Sequence, residues 1–248
     1  MTRDSTSRGF ELGPAGAPTV LLLHGLTGAP SEVWPLGAAL AEAGFRAVGP
    51  ALAGHGTRPE ELALVGGVEV RASAVTALDR LGPGRHLVCG LSMGALLGLG
   101  LAVERAASVR GFVALAPVLR PRGATRLLVD AVGRLPLPAW PALLVSKSTS
   151  APREGAYGKI PLRWGRELRL LIARAERDAA RLEAPLLALH GLADDTASPE
   201  GSLVLARLAR SRERRVRLFP GAGHVLPLTA QAPLVFEEVV RFARATLR

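Results

Sequence analysis

The chain has 248 residues, of which 48% are hydrophobic and 21% charged, a size and composition compatible with one α/β domain that carries an insertion. Its single cysteine excludes an internal disulfide. No apolar run reaches the roughly 18–20 residues of a membrane span, and the polar residues 1–9 do not look like a secretory signal. We therefore expect a cytoplasmic protein without stable membrane insertion. The net charge of +10 does not predict nucleic-acid binding, because the arginines are spread along the chain and their densest cluster, residues 207–217, contains no aromatic side chain that could stack on bases.

Strand and helix patterns alternate along the first half of the chain. Residues 19–23 form a continuous apolar run, as a strand buried on both faces requires. Ser31 is a suitable N-cap for the next helix, and Gly44 is expected to end it. This alternation predicts a parallel sheet with right-handed crossovers. We expect strands at 10–12, 19–23, 45–48, 87–89 and 112–115, and helices at 31–43, 68–81 and 95–107.

The alternation breaks in residues 117–182, which contain seven prolines and no alternating run typical of a strand. Two helices are predicted there, at 125–135 and 162–182, and the second has an apolar stripe that indicates core packing or the wall of a ligand pocket. Strands at 186–189 and 216–219 and helices at 203–209 and 233–247 then restore the alternation. We therefore predict a core of residues 1–116 and 183–248 with a cap insertion of residues 117–182.

The sequence Gly90-Leu91-Ser92-Met93-Gly94 joins a predicted strand to a predicted helix. A serine at such a sharp turn has a strained backbone that exposes its hydroxyl, and the flanking glycines are needed because Cβ atoms would collide across the turn. This is the nucleophile elbow, which predicts that Ser92 is a nucleophile. The alternative is a glycine-rich helix start that serves only close packing.

A serine hydroxyl needs an adjacent base, and that base needs an acid to orient it. In parallel α/β sheets both should follow the carboxyl ends of later strands. The loop after strand 186–189 offers Asp194 and Asp195, and the loop after strand 216–219 offers His224. The order serine, aspartate, histidine is the order of α/β-hydrolases.

The other four histidines have different predicted roles. We expect His24 to order the loop after its strand, His55 to brace a turn, His190 to support the acid loop, and His86 to lie on a surface turn without a chemical role. No two histidines have the spacing of a metal site, and no phosphate-binding glycine motif occurs. The sequence therefore predicts neither a metal nor another cofactor.

Attack on an acyl group creates an oxyanion, which needs preorganised hydrogen-bond donors. The N–H of Met93 follows the serine at a helix N-terminus and is one candidate. The glycine-rich loop after strand 19–23 should supply the second, and the N–H of Leu26 is the best placed. The alternative reading of this loop is a tight strand-to-helix turn.

Five short motifs together resemble the α/β-hydrolase superfamily, and within it the small bacterial carboxylesterases and monoacylglycerol lipases. The resemblance covers nearly the whole chain from residue 19 onward. Residues 157–162, which run into the cap helix and Ala184-Pro185, also resemble the short helical cap of that group. This cap departs from the pattern in its few aromatic residues and its proline-rich stretch at 135–141. The five motifs are HGLTG at 24–28, GHGT at 54–57, GLSMG at 90–94, HGLAD at 190–194 and GH at 223–224.

The resemblance implies an α/β-hydrolase fold, a mostly parallel sheet flanked by helices with a small helical cap over an acyl pocket. It implies a triad of Ser92, His224 and Asp194, oxyanion donors at Leu26 and Met93, and no cofactor. We expect a serine hydrolase of carboxylic esters with short or medium acyl chains, a small-molecule ester as its partner, and a monomer or homodimer. Alternatives are a thioesterase, amidase or peptidase with the same triad, or a non-catalytic binding protein of this fold.

Overall fold

The computed structural model describes residues 8–134, 144–146 and 156–247, so the proline-rich stretch 135–141 lies outside the described residues. The strands are β1 (Gly9–Leu12), β2 (Thr19–Leu23), β3 (Arg46–Pro50), β4 (His86–Leu91), β5 (Val109–Leu115), β6 (Leu144–Ser146), β7 (Lys159–Pro161), β8 (Leu186–Gly191) and β9 (Arg214–Phe219). The helices are α1 (Trp34–Glu42), α2 (Pro59–Leu64), α3 (Gly67–Asp79), α4 (Met93–Glu104), α5 (Gly123–Asp130), α6 (Trp164–Ala179), α7 (Glu200–Leu208) and α8 (Ala232–Thr246).

Seven strands form one sheet in the order β1-β3-β2-β4-β5-β8-β9. Only β1 is antiparallel to its neighbour, and it forms one edge, while β9 forms the other. The crossover helices cover both faces of the sheet, as parallel strands require. The predicted α/β-hydrolase architecture is confirmed, and its parallel strands bring the ends of β4, β8 and β9 to the same side of the sheet.

The continuous apolar run of β2 reflects two core layers. Leu21 and Leu23 pack in one layer with side chains of α3, α4 and α6, whereas Val20 and Leu22 pack in the other with side chains of α1 and α8. Because side chains alternate between the two faces of a strand, both sets of positions must be apolar in a strand covered on both sides. All five residues of β2 are buried.

The structure corrects the predicted start of the first helix. Residues Pro30–Glu32 form a 3-10 turn, and α1 begins at Trp34 without a side-chain cap, so Ser31 is not its N-cap. Pro35 lies in the first turn of α1, where a missing N–H costs nothing. Gly44, with φ +90°, ends the helix as predicted.

The segment 117–182 also contains structure that the sequence did not predict. Strands β6 and β7 pair in an antiparallel two-stranded sheet, which corrects the expectation that this segment has no strand. Three-residue strands are too short to show an alternating pattern. Helix α6 lies within its predicted range, and α5 ends at Asp130, before the predicted end at residue 135.

His86 is buried, which corrects its predicted place on a surface turn. It is the first residue of β4 and only 5% exposed, and its Nε2 donates to the carbonyl of Gly82 at 3.1 Å. It lies at the amino end of β4, whereas Ser92 follows the carboxyl end.

No described helix is long and apolar enough to cross a bilayer.

Gly94→Ala is expected to lower the free energy of unfolding by about 1–3 kcal/mol. An added Cβ on Gly94 would lie 2.3 Å from the carbonyl oxygen of Leu23, and backbone atoms cannot move aside cheaply. Gly158→Ala is the matched control, because nothing lies within 4 Å of its added Cβ. Urea unfolding of both variants measures the difference, and equal stabilities would contradict the close approach of α4 to β2.

Candidate active site

Ser92 lies at the turn between β4 and α4. Its φ of 56° and ψ of −114° are the strained conformation expected of a nucleophile elbow. The turn is fixed because the Ser92 N–H donates to the carbonyl of Leu115 at 2.9 Å, and because an added Cβ on Gly90 would lie 2.1 Å from the carbonyl oxygen of Gly94. The side-chain hydroxyl of Ser92 therefore points away from both β4 and α4 in a fixed direction.

The structure brings Ser92, His224 and Asp194 together in one chain of hydrogen bonds. Nε2 of His224 lies 2.8 Å from Oγ of Ser92, and Nδ1 of His224 lies 2.7 Å from Oδ2 of Asp194. An ionised carboxylate only accepts, so Nδ1 carries the proton and Nε2 is free to accept the serine proton. This is the arrangement of a base oriented by an acid.

Asp194, rather than Asp195, faces the histidine. It is 2% exposed, and its Oδ1 accepts from the N–H groups of Thr196 and Ala197 at 2.8 and 2.9 Å. Burial alone would raise the pKa of Asp194, but hydrogen bonds from His190 and His224 hold that pKa well below its usual range. Asp194 therefore stays ionised, while Asp195 is exposed.

The contacts of His190, His24 and His55 agree with their predicted supporting roles. His190 is fully buried, lies 3.1 Å from Oδ2 of Asp194 and is held by the hydroxyl of Ser202 at 2.9 Å. His24 and His55 are buried next to each other below residues 25–28, here called the Leu26 turn, with ring centroids 4.8 Å apart. Each of these rings contacts main-chain atoms of the loops that surround the site.

The two predicted oxyanion donors lie beside Ser92. Leu26 and Met93 both line the pocket into which Ser92 opens. Within the described part of the chain, neither of their N–H groups donates to another protein group. The Met93 N–H is also the first of α4, where the helix dipole favours a negative charge.

The pocket has an apolar wall and several polar groups that sequence reasoning missed. Segment 117–182 supplies part of the apolar wall, including Leu168 from the predicted apolar stripe. Glu32, Thr125 and Thr196 also line the pocket, and no sequence pattern marks them. The described residues that line the pocket are Gly25, Leu26, Thr27, Gly28, Glu32, Leu91, Ser92, Met93, Val118, Thr125, Ile160, Leu168, Thr196, His224 and Val225.

Comparison with known proteins gives consistent matches. The model of the Hydrolase_4 family, described as serine aminopeptidase, S33, matches residues 16–228. A carboxylesterase of Bacillus subtilis is 26% identical over 92% of both chains, and a thermostable monoacylglycerol lipase of Bacillus sp. H-257 is 28% identical over 94% of this chain and 91% of the lipase. A solved structure from work on the metagenome-derived lipolytic enzymes LipS and LipT has a TM-score of 0.85 at 24% identity, covering 97% of this chain and 98% of that one.

Proposed function

Because this chain belongs to the Hydrolase_4 (serine aminopeptidase, S33) family, we propose that it is a serine hydrolase that cleaves carboxylic esters through an acyl-enzyme on Ser92. The observation that carries the proposal is the unbroken chain of hydrogen bonds from Ser92 through His224 to the buried Asp194. The family description names an aminopeptidase, whereas the two relatives that match along the whole chain are named for ester hydrolysis. An ester is therefore the first substrate class to test.

In the proposed mechanism, Oγ of Ser92 attacks the ester carbonyl while Nε2 of His224 takes its proton. The N–H groups of Leu26 and Met93 stabilise the oxyanion of the tetrahedral intermediate. His224 then gives its proton to the leaving alcohol, and the acyl group stays on Ser92. Water that is deprotonated by His224 attacks the acyl-enzyme, and the free acid leaves as the serine recovers its proton. Asp194 accepts the Nδ1–H throughout and stabilises the imidazolium.

We propose that segment 117–182 is a cap that forms part of the acyl pocket. Val118, Thr125, Ile160 and Leu168 from this segment line the pocket with Ser92, which supports the assignment. An acyl chain that enters this wall leaves water, and each buried methylene contributes up to ~0.8 kcal/mol. We further propose that the substrates are small esters with short or medium acyl chains and that the protein is a monomer or homodimer. One chain supplies every proposed catalytic group, so the proposed mechanism needs no residue from a second copy.

The test is a series of p-nitrophenyl esters and monoacylglycerols scored by kcat/KM, with thioesters and aminoacyl amides as rivals. We expect kcat/KM to rise up to about fourfold per methylene and to reach an optimum between about C4 and C12, because a pocket of bounded, ordinary ligand size fills. A fluorophosphonate probe should form one covalent adduct, on Ser92. A protein that binds esters without such an adduct or turnover would be a non-catalytic member of the fold.

Leu168→Ala measures the role of the cap wall. Leu168 is 2% exposed and lines the pocket, whereas Leu170, two residues further along α6, is 49% exposed and serves as the matched control. We expect Leu168→Ala to lower kcat/KM of the optimal ester about tenfold through the lost contact and to change the preferred chain length. Equal chain-length profiles for Leu168→Ala and Leu170→Ala would place the acyl chain elsewhere.

A further inference from the structure

Three successive carbonyl groups of the Leu26 turn each accept a hydrogen bond from a group outside the turn. The imidazole of His24 binds the first carbonyl, the imidazole of His55 binds the second, and the main-chain N–H of Tyr157 binds the third, at 2.9, 2.5 and 2.7 Å. The turn therefore does not rely on its own hydrogen bonds alone. Its three peptide planes are fixed by the buried structure below it.

His24 is a neutral ring with a defined tautomer. It is fully buried, and this burial, together with the neighbouring His55, lowers its pKa to about 3. Its Nε2 accepts from the N–H of Leu52 at 3.2 Å, so the single ring proton is on Nδ1 and is donated to the carbonyl of Gly25. The same carbonyl also accepts from the N–H of Gly28 at 3.2 Å, which closes the turn.

The peptide that His24 holds is the one that carries the Leu26 N–H. A trans peptide is planar, with its C=O and N–H pointing in opposite directions. Holding the carbonyl of Gly25 therefore fixes the direction of the Leu26 N–H. We propose that His24 and His55 are positioning residues of the oxyanion hole, which hold the Leu26 N–H toward the oxyanion through the Gly25 and Leu26 carbonyls. This inference rests on the proposed function.

His55 holds the next peptide by its other ring nitrogen. Its Nε2 lies 2.5 Å from the carbonyl of Leu26, and its Nδ1 lies 2.9 Å from the carbonyl of Ala53. Burial lowers the pKa of His55, so the ring is neutral and has one proton to donate. Both ring nitrogens face carbonyl oxygens, and the proposal places that proton on Nε2, toward the Leu26 carbonyl. On its other side the ring stacks on Tyr157, with the planes 13° apart.

The two rings therefore use different nitrogens, and this difference makes the proposal testable by a crossed pair of substitutions. The amide of asparagine reaches the place of a histidine Nδ1, and the amide of glutamine reaches the place of Nε2. At His24 the asparagine variant keeps the donor to Gly25, and at His55 the glutamine variant keeps the donor to Leu26. A role in packing alone would rank asparagine and glutamine in the same order at both positions.

The experiment measures kcat and KM of His24→Asn, His24→Gln, His55→Asn and His55→Gln with one short-chain ester. We expect kcat of His24→Gln to fall about 10- to 100-fold and that of His55→Asn about tenfold, with KM nearly unchanged, since a misaligned donor loses part of an oxyanion interaction. His24→Asn and His55→Gln should each keep severalfold more activity than their counterparts. Affinity for a trifluoromethyl ketone, which forms the oxyanion on Ser92, should fall in parallel with kcat/KM.

His86→Asn and His86→Gln are the controls, because His86 is also a buried histidine bound to a carbonyl, but at the amino end of β4. They should lower the free energy of unfolding without changing kcat. The positioning role is overturned if asparagine and glutamine rank alike at positions 24 and 55 among folded variants. Where the variants at one position do not fold, the other position decides through the trifluoromethyl ketone. A parallel fall of its affinity and kcat/KM, with KM nearly unchanged, supports the positioning role, and a fall of kcat/KM without a loss of affinity overturns it. A wild-type protein that does not hydrolyse esters would instead reject the proposed function.

Discussion

Replacing Ser92 by alanine is expected to lower kcat for ester hydrolysis by about three to six orders of magnitude, while the fold is kept. The hydroxyl lies 2.8 Å from Nε2 of His224, and without it no acyl-enzyme can form. The remaining groups act as a unit with the serine, so they retain only the catalysis that substrate binding and oxyanion stabilisation supply. The measurement is kcat with the best ester of the series, beside circular dichroism and urea unfolding of the variant.

Ser108→Ala is the matched control, because Ser108 is a half-buried serine at the amino ends of the strands, where its hydroxyl donates to the carbonyl of Arg105 at 3.2 Å. This variant should keep wild-type kcat and should still form the fluorophosphonate adduct. Retention of even a tenth of the activity by a clean preparation of Ser92→Ala would show that Ser92 is not the nucleophile.

Asp194→Asn is expected to lower kcat by about four orders of magnitude, and Asp195→Asn by far less. An asparagine amide facing His224 would favour the tautomer with the proton on Nε2, which can no longer accept the serine proton. It would also replace a carboxylate that receives two main-chain N–H groups and two imidazoles. Asp195 is exposed, and among the described residues its carboxylate accepts the hydroxyl of Thr196 and makes no hydrogen bond with His224, so its charge is solvated.

The two aspartate variants are compared by pre-steady-state bursts and by kcat against pH. Asp194→Asn should lose the burst of acylation, while Asp195→Asn should keep it together with a wild-type pH profile. A larger loss in Asp195→Asn would transfer the orienting role to that residue.

The sequence predicts most of the sheet and the meeting of the site residues for one physical reason. A parallel strand covered on both faces must be a continuous apolar run, which marks β2, β4, β5 and β8 directly, and the carboxyl ends of parallel strands meet at one edge. Ser92, the acid loop and His224 follow such ends and come together in the structure. The choice between adjacent Asp194 and Asp195 depended on family resemblance, because a loop has no periodicity.

Features that depend on tertiary packing could not be predicted in the same way. Glu32 and Thr196 reach the pocket from loops that carry no pattern for a pocket lining. The 3-10 turn at Pro30–Glu32 moves the start of α1 away from Ser31, although Ser31 has the side chain of a good cap. His86 follows a glycine- and proline-rich turn in sequence but is buried where the β4 amino end meets that turn. No local sequence pattern marks any of these three features.

The position of β9 at the edge of the sheet has a consequence for crowded solutions. An edge strand offers unpaired main-chain groups to any extended segment, and a second copy of the same strand is the most abundant candidate. Arg214 and Arg215 are exposed on β9, and Arg217 is held there by Glu238. Pairing two such strands would press guanidinium groups of two copies against one another and remove their water. Charge repulsion between the arginines of β9 is therefore expected to disfavour the pairing of two copies at this edge.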